Sequence, residues 1–179
     1  PKPEPIDPFL LQVEKYMERY GTSIFKDIKG FSASLWQPRV VLFGTYYRGG
    51  STRYDQELRF DNYHALSKKE KQLLCENGFS HAFFLYGSKR INSETTCDQD
   101  GEEHRLTYRH SGWRSHQVDE ILQTTYRIIQ GEIRGPIYVH CNFGNHASGV
   151  VAGFILMQFC DFSKQDAIQY WEKRTIRDG

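Results

Sequence analysis

The chain has 179 residues and a formal net charge of +1, and 39% of its residues are hydrophobic and 25% charged. This composition is typical of a soluble globular protein with one substantial core. The near-zero charge gives no reason to expect nucleic acid or an anionic membrane as a partner. The longest apolar stretch, residues 150–160, is interrupted by Gln158 and is shorter than the about 20 residues of a membrane-spanning helix.

Prolines recur through residues 1–8, which predicts an extended tether in front of a single domain formed by residues 9–179. A start without Met and a proline-rich tether suit a mature periplasmic or secreted protein. A cloning boundary would give the same start, so the sequence leaves the compartment open. Residues 9–20 are weakly amphipathic and are predicted to form a first helix.

Strands and helices are predicted to alternate along the rest of the chain. The predicted strands are residues 38–47, 81–86, 105–108 and 136–139. The predicted helices are residues 67–76, 116–130, 149–160 and 163–174. Turn residues at 48–51, a polar surface loop at 87–103 and a loop at 110–115 separate them. This order predicts an α/β fold with a central, mainly parallel sheet flanked by helices.

The four cysteines, Cys75, Cys97, Cys141 and Cys160, lack the spacing of a metal site, because no Cys-x-x-Cys pair occurs. We therefore expect no metal and no cofactor. One disulfide is compatible with this number of cysteines, and the sequence leaves its partners open. Cys75, Cys97 and Cys160 are interpreted as structural residues.

Cys141 stands where a predicted buried strand ends and a loop containing Gly144 and Gly149 opens a helix. Loop amides and a helix N-terminus at such a place form a cradle for an anion. The same positive dipoles favour the thiolate over the thiol. Cys141 is therefore predicted to be a nucleophile beneath a bound oxyanion or phosphate. The alternative is a buried structural thiol, a frequent role of cysteine.

This segment resembles the phosphatase signature His-Cys-x5-Arg-Ser/Thr-Gly, which His140, Cys141, Gly144, Ser148 and Gly149 match in register. Residues 47–50 resemble the Tyr-Arg-Ser-Gly turn of dual-specificity phosphatases, and residues 66–85 resemble their helix, glycine stop and following strand. The resemblance covers roughly residues 40–174 and points to the cysteine-dependent protein tyrosine and dual-specificity phosphatase superfamily. Bacterial inositol-phosphate phosphatases of the tyrosine-phosphatase type share this architecture.

The resemblance implies a dual-specificity-phosphatase-like fold and a role for each signature position. Cys141 would be the nucleophile, and the Ser148 hydroxyl would assist release of the cysteine from its phosphoenzyme. The implied phosphate-binding loop also contains His140, Asn142, Phe143, Gly144, Asn145, His146, Ala147 and Gly149. The plainer alternatives are a helix N-cap for Ser148, a core histidine for His140 and a solvent-facing residue for His146.

The chain departs from the family at the loop arginine, because Ala147 occupies that position. The family's arginine grips two phosphate oxygens and stabilises the charge of the transition state. Losing such a contact typically costs about 10³-fold in rate. His146 would replace the charge only in part. Three arginines are candidates for substrate binding, although a solvated surface is the alternative for each: Arg48, Arg109 and Arg114.

The general acid is the second departure. The family places an Asp about 30 residues before the cysteine, and the alignment puts His110 there, with no Asp or Glu between Glu103 and Asp119. Histidine ordinarily titrates near neutrality, which suits proton transfer to a leaving oxygen. The alternatives are a loop histidine without a catalytic role and Asp119 as the acid, although Asp119 belongs to a predicted helix.

Two functions follow from these features. The first is an atypical phosphomonoester hydrolase with a phosphocysteine intermediate, acting on inositol phosphates, other small phosphorylated molecules or a phosphoprotein. The second is a pseudophosphatase that binds a phosphorylated or anionic ligand without turnover. The retained Cys141 and Ser148 favour the enzyme, and the changes at Ala147 and His110 favour the binder. A deliberately introduced alanine at 147 and a different Cys–His chemistry, such as acyl transfer, are further alternatives.

Overall fold

A computed structural model describes residues 35, 38–51, 65–86, 91–114 and 117–175. The predicted tether at 1–8 and the predicted helix at 9–20 lie outside these ranges. The strands within them are β1 (Arg39–Leu42), β2 (Tyr46–Gly49), β3 (His81–Phe84), β4 (Asn92–Gln99), β5 (Glu102–His110) and β6 (Ile137–His140). The helices are α1 (Lys68–Glu76), α2 (Asp119–Ile129), α3 (Ala147–Phe159) and α4 (Lys164–Thr175).

The strands form one six-stranded sheet in the order β1-β2-β6-β3-β5-β4. The central strands β2, β6, β3 and β5 run parallel, and the two outer strands pair antiparallel with their neighbours. The predicted α/β fold with a mainly parallel sheet is confirmed. His140 of β6 lies in register with Gly49 and with Phe84, which in turn lies opposite His110. Four parallel strands therefore end at one edge, where α/β proteins place their sites.

Helices cover both faces of the sheet, because successive side chains of a strand point to opposite faces. Val139 packs in one apolar cluster with Ile121 of α2 and Ile155 of α3. Its neighbour Tyr138 packs in a second cluster with Leu74 of α1. Both clusters reach β6, so the strand that precedes Cys141 is anchored from both sides.

Two predicted helix starts are confirmed by their caps. The Ser67 hydroxyl accepts the Lys69 N–H at 3.1 Å, and the Glu70 carboxylate accepts the Ser67 N–H at 3.0 Å. At α4, the Asp166 carboxylate accepts both the Ser163 N–H at 3.0 Å and the Ser163 hydroxyl at 2.6 Å. The hydrogen bonds to Ser163 lower the pKa of the Asp166 carboxyl. These side chains satisfy amides that the first turn of a helix leaves unpaired.

The prediction of one strand over residues 38–47 was wrong. The chain reverses at Gly44, whose φ of +66° suits glycine, and β1 and β2 form an antiparallel hairpin. Arg48 and Gly49, which the sequence placed in a turn, belong to β2 and pair with β6. The segment that resembles the Tyr-Arg-Ser-Gly turn therefore lies at the end of a central strand.

The predicted surface loop at 87–103 was also wrong over its described part. Residues 92–99 form β4, which pairs along its whole length with β5. Most β4 side chains are exposed or half-buried because it is the outer strand of the sheet. A polar edge strand lacks the apolar alternation that predicts strands from sequence. The same correction makes His110 the last residue of β5 rather than a loop residue.

A disulfide joins Cys75 of α1 to Cys97 of β4, which supplies the pairing that the sequence left open. Cys141 and Cys160 are free thiols. The bridge attaches the outer edge of the sheet to the helix that covers one face. Every helix in the described ranges is too short or too polar to cross a membrane.

Candidate active site

Cys141 directly follows β6 at the carboxyl edge of the parallel strands. Its side chain is buried, with 1% of the residue exposed, and its N–H donates to the Gly49 carbonyl at 3.2 Å. The Cys141 Sγ lies 3.4 Å from the Ser148 Oγ. The structure thus brings together the predicted nucleophile and the predicted assisting hydroxyl, which are seven residues apart in the chain.

The loop after Cys141 is pressed against the end of β2. Gly144 has a φ of +76°, and a Cβ there would lie 2.6 Å from the backbone of Gly49 and Gly50. Only glycine fits such a close backbone approach in the left-handed region. On the same side, the Ser51 N–H donates to the Asn142 carbonyl at 3.0 Å. The end of β2 therefore shapes the loop. This contact is the structural role of the upstream Tyr-Arg-Gly-Gly segment.

The loop opens directly into α3, whose first residue is Ala147 and whose N-cap is His146. The His146 ring is exposed at the rim, whereas Ala147 is buried, with 2% of the residue exposed. Burial, and then the charge of Cys141, raise the pKa of the Tyr86 phenol. The Tyr86 hydroxyl lies close enough to the Ala147 amide for this amide to lower the pKa of the phenol. A phenol oxygen thus lies close to one N-terminal amide of α3.

His140 holds the base of the loop by directional hydrogen bonds. Its Nδ1 lies 3.3 Å from the Cys141 carbonyl, and its Nε2 lies 2.9 Å from the Tyr108 hydroxyl. A carbonyl only accepts, so Nδ1 carries the proton and Nε2 accepts the Tyr108 O–H. The Tyr108 oxygen in turn accepts the Leu66 N–H at 3.0 Å. With a neutral imidazole, every donor in this chain of hydrogen bonds therefore has an acceptor.

Burial keeps the His140 ring neutral by lowering its pKa to about 3. The ring stacks against Phe84 at a centroid distance of 4.9 Å and against Tyr138 at 5.8 Å. His140 is therefore both a buried core histidine and a residue that holds the loop.

Arg48 is completely buried, so in this structure it is neither a solvated surface residue nor an exposed substrate-binding side chain. Its Nη1 donates to the Gly144 carbonyl at 2.7 Å, and its Nε donates to the Tyr170 hydroxyl of α4 at 3.2 Å. The guanidinium carbon lies 5.5 Å from the centre of the Tyr170 ring. Arg48 therefore lies behind the loop and grips one of its carbonyls.

The other two candidate arginines are at the surface. Arg109 Nη1 lies 2.7 Å from Glu120 Oε1 of α2, and both side chains are about half exposed. Arg114 is exposed in the segment after β5. The structure therefore engages Arg109 in a surface ion pair and leaves Arg114 as an exposed cation.

His110, the candidate acid, is half-buried at the end of β5. One strand, β3, separates β5 from β6, so two strand spacings, about 10 Å, separate the backbones of His110 and His140. A substrate would have to lie between His110 and Cys141 for a direct proton transfer. Asp119, the alternative acid, is the first residue of α2.

The remaining loop residues form the rim. The Asn145 Oδ1 accepts from Arg39 Nη1 at 3.4 Å, and Phe143 is exposed beside its backbone bridge to Gly50. Gly149 is buried beneath Trp171, whose Cδ1 would lie 2.8 Å from a Cβ at that position. In the described ranges, no three His, Cys, Asp or Glu side chains gather into a group that could hold a metal ion.

Sequence reasoning missed the tyrosines that surround the loop. The hydroxyls of Tyr86, Tyr108 and Tyr170 each lie close to a loop residue or to a side chain that holds the loop. They come from the segment just after β3, from β5 and from α4, and no spacing along the chain relates them to Cys141. The one available signal was the 11 tyrosines among 179 residues.

No family model matches the sequence, and no curated protein matches it. Among solved structures, one similar chain comes from work on the structural basis of the PTPN18 fingerprint on distinct HER2 tyrosine phosphorylation sites. Its TM-score to this chain is 0.39, and its sequence identity is 14%. The likeness covers 73% of this chain and 62% of that chain. The chemistry of the site therefore has to follow from the residues of this chain.

Proposed function

We propose that this chain is an atypical cysteine-dependent phosphomonoester hydrolase, with residues 9–179 forming one phosphatase-like domain. The observation that supports the proposal best is the placement of Cys141 beneath a loop that opens α3, with Sγ 3.4 Å from the Ser148 hydroxyl. A thiolate, a hydroxyl and helix amides at the carboxyl edge of a parallel sheet suit nucleophilic attack on a bound oxyanion.

The proposed reaction has two steps. The Cys141 thiolate attacks phosphorus, the S–P bond forms, the ester P–O bond breaks, and the leaving oxygen takes a proton from His110 or from water. Water then attacks phosphorus and gives a proton to His110 or to solvent, the P–S bond breaks, and phosphate leaves. The Ser148 hydroxyl donates to sulfur as the negative charge returns to it. No metal or cofactor takes part in this scheme.

The proposed substrates are inositol phosphates or other small phosphorylated molecules, with a phosphoprotein as the alternative partner. His146 and Arg114 are exposed and would serve additional phosphates. We also propose a periplasmic or secreted location, which the Cys75–Cys97 disulfide supports because disulfides persist in oxidising compartments.

The second candidate is a pseudophosphatase, which two observations favour. Ala147 places a buried methyl where the family has its guanidinium, so charge neutralisation inside the loop is missing. The Tyr86 hydroxyl also lies close to the Ala147 amide. Both features weaken transition-state stabilisation more than they weaken the fold.

The test is phosphate release from a panel of inositol phosphates, small monoesters and a phosphotyrosine peptide. Parent, Cys141→Ser and Cys160→Ser are compared, because Cys160 is the other free thiol and lies at the end of α3. Turnover that Cys141→Ser abolishes and Cys160→Ser retains supports the hydrolase. Absence of turnover in the parent, with activity appearing in Ala147→Arg, supports the binder. Turnover that survives Cys141→Ser refutes the cysteine mechanism.

A further inference from the structure

Arg48 is a charged side chain in an almost wholly neutral environment. It is completely buried, and its acceptors are the Gly144 carbonyl and the Tyr170 hydroxyl. Within the described ranges, no carboxylate forms an ion pair with it. A guanidinium stays protonated in proteins, and a buried charge without a counter-ion is costly. An anion close to Arg48 would therefore be stabilised.

The position of Arg48 beside α3 makes a bound anion still more favourable. A Cβ built on Gly149 would lie 3.2 Å from Arg48 Nη1, so the guanidinium packs against the first turn of α3. A helix N-terminus already carries a partial positive charge. Two positive groups thus converge beneath the loop that follows Cys141, and an anion there would offset both.

Buried polar atoms of β2 and of the loop lack hydrogen-bond partners among the described residues. Arg48 Nη2, the Tyr46 hydroxyl and the Asn142 Oδ1 are buried without a hydrogen-bond partner among the described residues. Tyr46 and Arg48 lie two residues apart on β2 and therefore on one face of it. Burial raises the pKa of Tyr46 well above its usual value, while Arg48 lowers it and Cys141 raises it. Tyr46 thus lies within electrostatic reach of both Arg48 and Cys141.

The hydrogen bond to Gly144 also orients the loop. The C=O and N–H of a trans peptide point in opposite directions. Because the Gly144 carbonyl points at Arg48, the N–H of Asn145 in the same peptide points away from Arg48. Arg48 thereby turns a loop amide away from the protein interior.

We propose that Arg48 is a positioning residue that supplies, from behind the phosphate-binding loop, the positive charge that Ala147 cannot supply from within it. It stabilises the Cys141 thiolate and an oxyanion above it, and it fixes the orientation of the Gly144 peptide. This inference rests on the proposed function, because it assumes that an anion binds over Cys141.

The test uses a Cys160→Ser background, in which Cys141 is the one free thiol among the described residues. Two quantities are measured: the rate of Cys141 alkylation by iodoacetamide at pH 6, read by mass spectrometry, and tungstate affinity by calorimetry. Arg48→Met removes the charge at similar size, and Arg48→Lys keeps the charge but loses the fork. Arg105→Met is the matched control, because Arg105 is an exposed arginine paired with Glu94.

Arg48→Met is expected to slow alkylation at pH 6 about tenfold and to weaken tungstate binding about tenfold, because the thiolate and the anion lose their cation. Arg48→Lys is expected to keep the alkylation rate within about threefold of the parent while weakening tungstate binding, because the ammonium lacks the fork geometry. Arg105→Met is expected to match the parent in both measurements.

Parent-like alkylation and tungstate binding in folded Arg48→Met would overturn the inference while leaving the proposed function intact. If Arg48→Met does not fold, Arg48→Lys decides, since alkylation slowed tenfold despite the retained charge would equally overturn it. A parent that binds no tungstate, and whose Cys141 reacts no faster than Cys160 in the unsubstituted chain, would instead refute the proposed function.

Discussion

Lowering the pH from 8 to 5 is expected to destabilise the fold through His140. Burial lowers the pKa of this imidazole to about 3 in the folded protein, against about 6.5 in an unfolded chain. The unfolded chain therefore binds the proton more readily between these two values. The contribution of neutral His140 to the free energy of unfolding is complete above pH 6.5 and is lost as the pH falls toward 3. Linkage gives a loss of about 2 kcal/mol at pH 5.

The prediction is checked by urea denaturation of the parent and of His140→Asn at both pH values. Asn does not titrate, and its amide keeps a donor near the Cys141 carbonyl. Burial also lowers the pKa values of His81 and His104, but these residues contribute to both proteins alike. His140→Asn is expected to be less stable at pH 8 and to lose about 2 kcal/mol less than the parent on going to pH 5. Equal losses in the two proteins would refute a neutral, buried His140.

Three further substitutions test the architecture by urea denaturation. Tyr108→Phe removes the donor to His140 and a buried amide's acceptor, with an expected loss of about 2–4 kcal/mol; a loss under about 0.5 kcal/mol would contradict the hydrogen-bond chain. Gly144→Ala places a Cβ at positive φ against backbone and is expected to cost about 2 kcal/mol or more, whereas parent-like stability would contradict the close approach. Replacing Cys75 and Cys97 together by Ala opens a link across a 22-residue separation and is expected to cost about 3 kcal/mol; an unchanged urea midpoint would mean that the bridge is absent.

Local features of the sequence predicted the frame of the fold well. The capping pattern from Ser67 to Glu70 and the pattern from Ser163 to Asp166 marked helix starts, because each cap depends on residues three apart. The strand that leads into Cys141 followed from a short run of apolar residues. The β1–β2 hairpin and the polar strand β4 escaped prediction, because pairing and position in the sheet, rather than residue type, make those segments strands.

The candidate site was predictable in its loop and not in its surroundings. Cys141, Ser148 and Gly144 lie within one segment, so a strand-to-helix pattern was enough to place them together. The burial of Arg48 was not predictable, because its contact with Gly144 joins residues 96 positions apart. An arginine in a sequence is ordinarily assigned to the surface, and only the packed sheet shows that this one lies behind the loop.

The pairing of β2 with β6 has a consequence for when the candidate site forms during folding. The bonds that hold the loop, from Arg48 to Gly144 and from Ser51 to Asn142, span 96 and 91 residues. Contacts of such long range require costly chain closure and form slowly compared with local turns. If Arg48 activates Cys141 as proposed, this thiol would gain its reactivity only after the early and late segments of the chain have met. The alkylation rate of Cys141 would then report whether folding is complete.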